Sequence, residues 1–184
     1  MHSSSEEHPT EGPVPLSVLV VDDEPLFMQR VFEAADALGC IHADYASTVS
    51  TAVEKLESRR YDAVVVDVYM PPGDRAGIPP ELEIPAADEE RSGVALAKAI
   101  IARKLACSRS LGEPPPRVLL CTRYLLQAIA GSEELANSPY LSTVAKDDLR
   151  TVPEELVRLL SATPSQTGGS VALQSRATHD AGAS

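Results

Sequence analysis

Two short apolar runs that end directly in aspartate restrict this chain more than any other feature. Val18-Leu19-Val20-Val21 passes without a break into Asp22-Asp23, and Ala63-Val64-Val65-Val66 into Asp67. A run that is apolar at every position has no solvent face, so it fits a strand covered on both sides, as in a parallel sheet flanked by helices. Four such runs are expected as buried strands: Ser17 to Val21, Ala63 to Val68, Arg117 to Cys121 and Ser142 to Ala145. Ile41 to Tyr45 alternates instead and is expected at the edge of the sheet.

Between these runs the apolar spacing is helical. Leu26 to Leu38 predicts a helix stopped by Gly39, which suits the left-handed cap position. Ser47 is the expected cap of a helix carrying Ala52, Val53 and Leu56 on one face, and Ser92 of one carrying Val94, Ala97, Ile101 and Leu105. Pro153 leads into a last helix over Glu154 to Leu160. Strands and helices in strict alternation imply right-handed crossovers. The expected fold is α/β, a doubly wound five-stranded parallel sheet with helices on both faces.

With 184 residues, 43% of them hydrophobic, the chain is sized for one core. Residues 1–15 and 161–184 are polar and poor in large apolar groups, so burial there cannot offset the entropy of ordering, and both are expected as disordered tails around one domain at 16–160. Within that domain, residues 72–91 are expected as an inserted loop. Pro72 to Glu90 holds Pro72, Pro79, Pro80 and Pro85, two glycines and six acids. A net charge of −11 argues against a nucleic-acid backbone as partner, and no run approaches the ~20 apolar residues of a membrane helix. Cys40, Cys107 and Cys121 are odd in number and read as reduced thiols, which points to the cytoplasm. The four histidines are scattered, which disfavours a histidine metal site.

In an open α/β sheet, ligands bind outside the carboxyl ends of the strands. Asp22, Asp23 and Asp67 fall at such ends, followed by Thr122 at the end of the fourth strand and Lys146 at the end of the fifth. Taken singly, an acid after a strand serves equally well as a turn residue or helix cap, and Asp23 before Pro25 could open the next helix. Taken together, carboxylates ~4 Å apart repel by roughly 4 kcal/mol at an effective dielectric near 20, a cost that calls for a cation. An all-oxygen set with room for water and a phosphoryl oxygen suits Mg²⁺, and a hydroxyl and an ammonium at the same rim suit an anion beside it.

Val18-Leu19-Val20-Val21-Asp22-Asp23-Glu24-Pro25 resembles the opening of a response-regulator receiver domain, and Val66-Asp67-Val68-Tyr69-Met70-Pro71 the segment carrying its phospho-acceptor. The resemblance runs from about Leu16 to Leu160. It implies that Asp67 accepts a phosphoryl group from a sensor histidine kinase or a histidine phosphotransfer protein, and that Asp22, Asp23, Asp67 and the backbone carbonyl of Tyr69 hold Mg²⁺. Thr122 and Lys146 would grip the phosphoryl oxygens. The protein would then be a single-domain regulator rather than an enzyme in the usual sense, acting on a downstream protein target or in a relay, with neither nucleic acid nor membrane as partner. The chain departs from the family in the long link to Gly93, in Arg123 after Thr122, in Thr143 where an aromatic is usual, and in Asp147 after Lys146. Arg123 is expected to shield the site as a gate or to pair with Asp88, Glu89 or Glu90. A rival reading keeps the fold as a binding module that is not phosphorylated, with Arg123 as a permanent cation in the phosphoryl site. Phosphatases with an aspartate nucleophile need a second acid two residues on, where this chain has Tyr69, and a Rossmann nucleotide site needs a glycine-rich turn where Asp22-Asp23-Glu24 stands.

Overall fold

The computed structural model describes residues 14–82, 84, 86–105, 107, 109, 110, 112–123, 135, 137–150 and 153–161. Five parallel strands, β1 (Leu16–Val21), β2 (Ile41–Ala46), β3 (Ala63–Asp67), β4 (Arg117–Thr122) and β5 (Leu141–Ala145), form one sheet in the order β2-β1-β3-β4-β5. The described helices are α1 (Pro25–Ala37), α2 (Val49–Ser58), α3 (Ser92–Ile101) and α4 (Pro153–Ser161). All five expected strands are present, with the Ile41 strand at the edge. The helix implied between β4 and β5, and both expected tails beyond residues 14 and 161, lie largely or wholly outside the described residues.

The unbroken apolar runs are explained by a sheet with two covered faces. Leu19, Val21, Val64, Val66, Val118 and Leu120 pack with Ala52, Val53 and Leu56 of α2 and Leu96, Ala97 and Ile100 of α3. The alternate residues, Val18, Val20, Ala63, Val65, Leu119 and Cys121, pack with Met28, Phe32 and Ala35 of α1 and Leu156 and Leu160 of α4. Side chains of period two thus feed two cores from one strand.

Helix ends follow their capping chemistry, with three shifts from expectation, one being that α3 stops at Ile101, just before Arg103 turns left-handed, and leaves Leu105 outside the helix. Gly39 adopts φ 68° at the end of α1, and the Cys40 N–H reaches back to the Ala35 carbonyl, closing the helix. The cap of α2 is Thr48, not Ser47: its backbone is extended and its hydroxyl accepts the Thr51 N–H at 3.2 Å. Ser92 is the first helical residue of α3 rather than its cap, because a 3₁₀ turn (Ala86–Arg91) brings the chain in already wound, and the Ser92 hydroxyl donates to the Glu89 carbonyl.

The 72–91 segment is built rather than loose. It carries two 3₁₀ turns, Arg75–Gly77 and Ala86–Arg91, closed on each other by an Arg75–Glu89 ion pair. Leu82 is 3% exposed, and Ile78 and Ile84 pack on the α2/α3 core. Ser50 of α2 takes the Asp74 N–H at 3.1 Å.

Candidate functional site

Strand register assembles the rim. Val21 pairs with Val66, so the next residues, Asp22 and Asp67, emerge side by side where the chain order of the sheet reverses. Thr122 pairs with Ala145, which sets Lys146 just beyond, and the Lys146 N–H donates to the Thr122 carbonyl at 3.2 Å. Asp22, Asp67, Thr122 and Lys146 are all buried, whereas Asp23 is exposed.

The Lys146 ammonium sits between two carboxylates, 2.7 Å from Asp67 Oδ2 and 2.9 Å from Asp22 Oδ2. The other oxygens have backbone donors: Asp22 Oδ1 accepts the Glu24 N–H at 2.8 Å, and Asp67 Oδ1 the Tyr69 N–H at 3.4 Å. Asp23 does not cap α1; Glu24 holds that position without a side-chain bond, which leaves the Asp23 carboxylate to the rim. One oxygen from each of Asp22, Asp23 and Asp67 lies within 4.8 Å of the others. Three carboxylates against one ammonium leave two negative charges. Burial pushes the Asp67 carboxyl above its ordinary range, and the Asp22 charge adds to this against the pull of Lys146 and the Tyr69 N–H. Burial also works against the Lys146 charge, yet Asp67 and Asp22 outweigh it and hold the ammonium above its usual value. Both directions describe a site short of positive charge. A hard divalent cation fits this donor set in charge and in ligand type.

Behind β3, α3 approaches without a gap. A Cβ added at Gly93 would stand 1.8 Å from the Asp67 carbonyl oxygen and 3.1 Å from Val66, so only glycine fits where α3 opens. The sequence signal was a glycine at the mouth of a helix, but its contact was not legible. Cys121 is fully buried beside the site, and burial raises its thiol pKa far out of the reactive range.

Among the described residues, which leave out the Asp88 side chain, Arg123 does not pair with the 72–91 segment, where Glu89 is taken by Arg75. Its guanidinium reaches across the rim to Glu24 Oε2 at 3.1 Å, joining the β4 end to the β1 end on the solvent side. It is therefore outside the buried carboxylate cluster, whose cation is Lys146. Glu24 was read only as part of the opening motif; a partner 99 residues away has no local signal.

The response regulator receiver domain family model matches residues 18–79. No match was found among curated proteins. Among solved structures, the NarL signal receiver domain of Mycobacterium tuberculosis is 21% identical, with 80% of this chain and 94% of that one covered and a TM-score of 0.50. The signal receiver domain of an HD domain-containing protein from Pseudomonas fluorescens Pf-5 is 17% identical, with 82% and 88% covered and a TM-score of 0.51. A response regulator from Burkholderia pseudomallei, solved with a phosphorylated aspartic acid, a calcium ion and citrate, is 17% identical, with 80% and 67% covered and a TM-score of 0.48. The matched segment includes both acidic strand ends, and in fold the chain is similar to these receiver domains.

Proposed function

We propose that Asp67 is the phospho-acceptor of a response-regulator receiver domain working in the cytoplasm, where its three unpaired thiols would stay reduced. The observation that carries this reading is the Lys146 ammonium held at 2.7 Å from Asp67 and 2.9 Å from Asp22 at the carboxyl edge of the sheet. A buried carboxylate next to a fixed cation is preorganised to receive an anion that brings its own negative charge.

In the proposed step, an Asp67 carboxylate oxygen attacks the phosphorus of a phosphohistidine on the partner in line. The O–P bond forms as the N–P bond breaks, and the electron pair stays on the departing imidazole, which takes up a proton. Lys146 donates to a phosphoryl oxygen, and the Thr122 hydroxyl, at the same rim, to another. Mg²⁺ held by Asp22, Asp23, Asp67 and the Tyr69 carbonyl would neutralise charge on the transferring group. Water later cleaves the acyl phosphate and resets Asp67. The donor is a sensor histidine kinase or a phosphotransfer protein, and the output is a protein contact or onward relay.

The test is incubation with acetyl phosphate and Mg²⁺, followed by intact mass. Wild type gains one acid-stable, base-labile phosphoryl group and Asp67→Ala gains none. Undiminished label on Asp67→Ala would overturn the assignment.

A further inference from the structure

At the opposite end of the sheet, described residues between α3 and β4 line an open cavity of about 300 Å³, at the lower end of the range for small-molecule sites. Pro115 and Pro116, which line it, stand directly before Arg117, and Arg117 pairs with the first residue of β3. Asp67 ends the same strand, so the cavity and the acceptor are separated by the length of β3. Ile100, Leu105 and Cys107 are apolar members of the lining, and Arg103 and Arg109 are its two arginines.

Backbone conformation sets this wall apart. Among the described residues, Arg103 (φ 56°) and Cys107 (φ 47°) alone hold a left-handed conformation without being glycine, and both line this cavity. Arg103 closes α3 at the position glycine usually takes, with the Lys104 N–H on the Ala99 carbonyl. Non-glycine residues persist in this region where their surroundings over-determine them, and such positions cluster at ligand sites.

The charge balance favours an anion. Arg109 binds the Tyr61 and Pro114 carbonyls, while its Nε is buried without a hydrogen-bond partner among the described residues. Glu113, the acid of the lining, accepts a hydrogen bond from Arg60 on Oε1 at 3.2 Å, and its Oε2 is, like Arg109 Nε, buried without a hydrogen-bond partner among the described residues. Burial lowers the pKa of Arg109, and the Arg60 charge lowers it further, against Asp62 and Glu113. Arg103 is exposed and so stands at the mouth.

We propose that the cavity between α3 and β4 is a binding site for a small carboxylate with an apolar body, its carboxylate held by Arg103 and Arg109. The experiment titrates full-length protein with phenylacetate and 4-methylpentanoate, and with their neutral amides, following backbone amide shifts and heats. At least one acid binds saturably and about tenfold or more tighter than its amide, as charge-assisted hydrogen bonds require. Arg103→Gly suits the left-handed backbone, so it melts at or above wild type and loses that preference. In Cys40→Ser protein, the binding acid also slows reaction of Cys107 with a thiol reagent, a readout that needs no change to the cavity. Failure of both acids to bind, equal binding of acid and amide, an undiminished preference in Arg103→Gly, or unprotected Cys107 would each overturn the proposal.

Discussion

Replacing Gly93 with alanine isolates the contact between α3 and the acceptor strand. Gly93 has an ordinary backbone, so alanine carries no conformational strain and would by helix propensity alone stabilise α3 by up to ~1 kcal/mol. The added Cβ, however, would meet the Asp67 carbonyl oxygen at 1.8 Å. That neighbour is main chain in the middle of the sheet, and it cannot yield without moving the Asp67 carboxylate from its 2.7 Å contact with Lys146. Overpacking of this kind costs about 1–3 kcal/mol, and a main-chain neighbour puts it at the upper end, so about 2 kcal/mol remains after the propensity gain. For a domain of this size the melting temperature should fall by about 4–8 °C, at roughly 2–4 °C per kcal/mol. Thermal unfolding followed by circular dichroism measures the fall, and intact mass after acetyl phosphate should show a slower gain of label. A Gly93→Ala protein that melts at or above wild type and labels at the wild-type rate would mean that α3 does not abut Asp67.

Asp67→Asn should raise the melting temperature in chelator, because burial disfavours the charge it removes. The folded-state pKa of Asp67 is raised, so wild-type stability falls as pH rises through that value; the advantage of the asparagine should therefore shrink as pH is lowered toward the ordinary carboxylate range. Adding Mg²⁺ should stabilise wild type by mass action, about 2.7 kcal/mol at a hundredfold excess over the dissociation constant, and stabilise Asp67→Asn less. Lys146→Met strands two buried carboxylates, and a loss of ~3–5 kcal/mol in chelator is expected by denaturant titration, with phosphorylation lost. Arg123→Ala and Glu24→Gln remove an exposed pair worth about 0–1 kcal/mol, so melting should barely move. Both should quicken labelling by small donors and hydrolysis of the product at low salt, and high salt should bring wild type toward the mutants; a mutant slower in both steps would rule out the pair as a barrier.

The strands and the rim were legible because their signals are local. A run such as Val64-Val65-Val66 has one physical solution, and the polar residue that ends it is thereby delivered to the edge of the sheet. Helix starts were legible to within a residue or so, since Ser47 and Thr48 have the same capping chemistry and only backbone geometry chooses between them, whereas α3 stops at Ile101, short of the expected Leu105. The 72–91 segment was read as a loop from its prolines; its two 3₁₀ turns and the docking of Ile78, Leu82 and Ile84 have no periodicity to announce them. The partner of Arg123 was out of reach for a different reason. A long cation near many acids chooses by three-dimensional distance, and Glu24 is brought to it only by the pairing of β1, β3 and β4.

That same 72–91 segment bears on how the domain can be re-engineered. Joining Pro71 directly to Gly93, to mimic a shorter relative, would strip Leu82, Ile78 and Ile84 from the gap they fill beside α2 and α3 and would free Ser50 and Thr48 from the main chain of Gly73 and Asp74. The excision would therefore uncover a greasy seam rather than trim a surface, and a graft of this domain onto another scaffold must carry the segment along with α2 and α3 as one cassette.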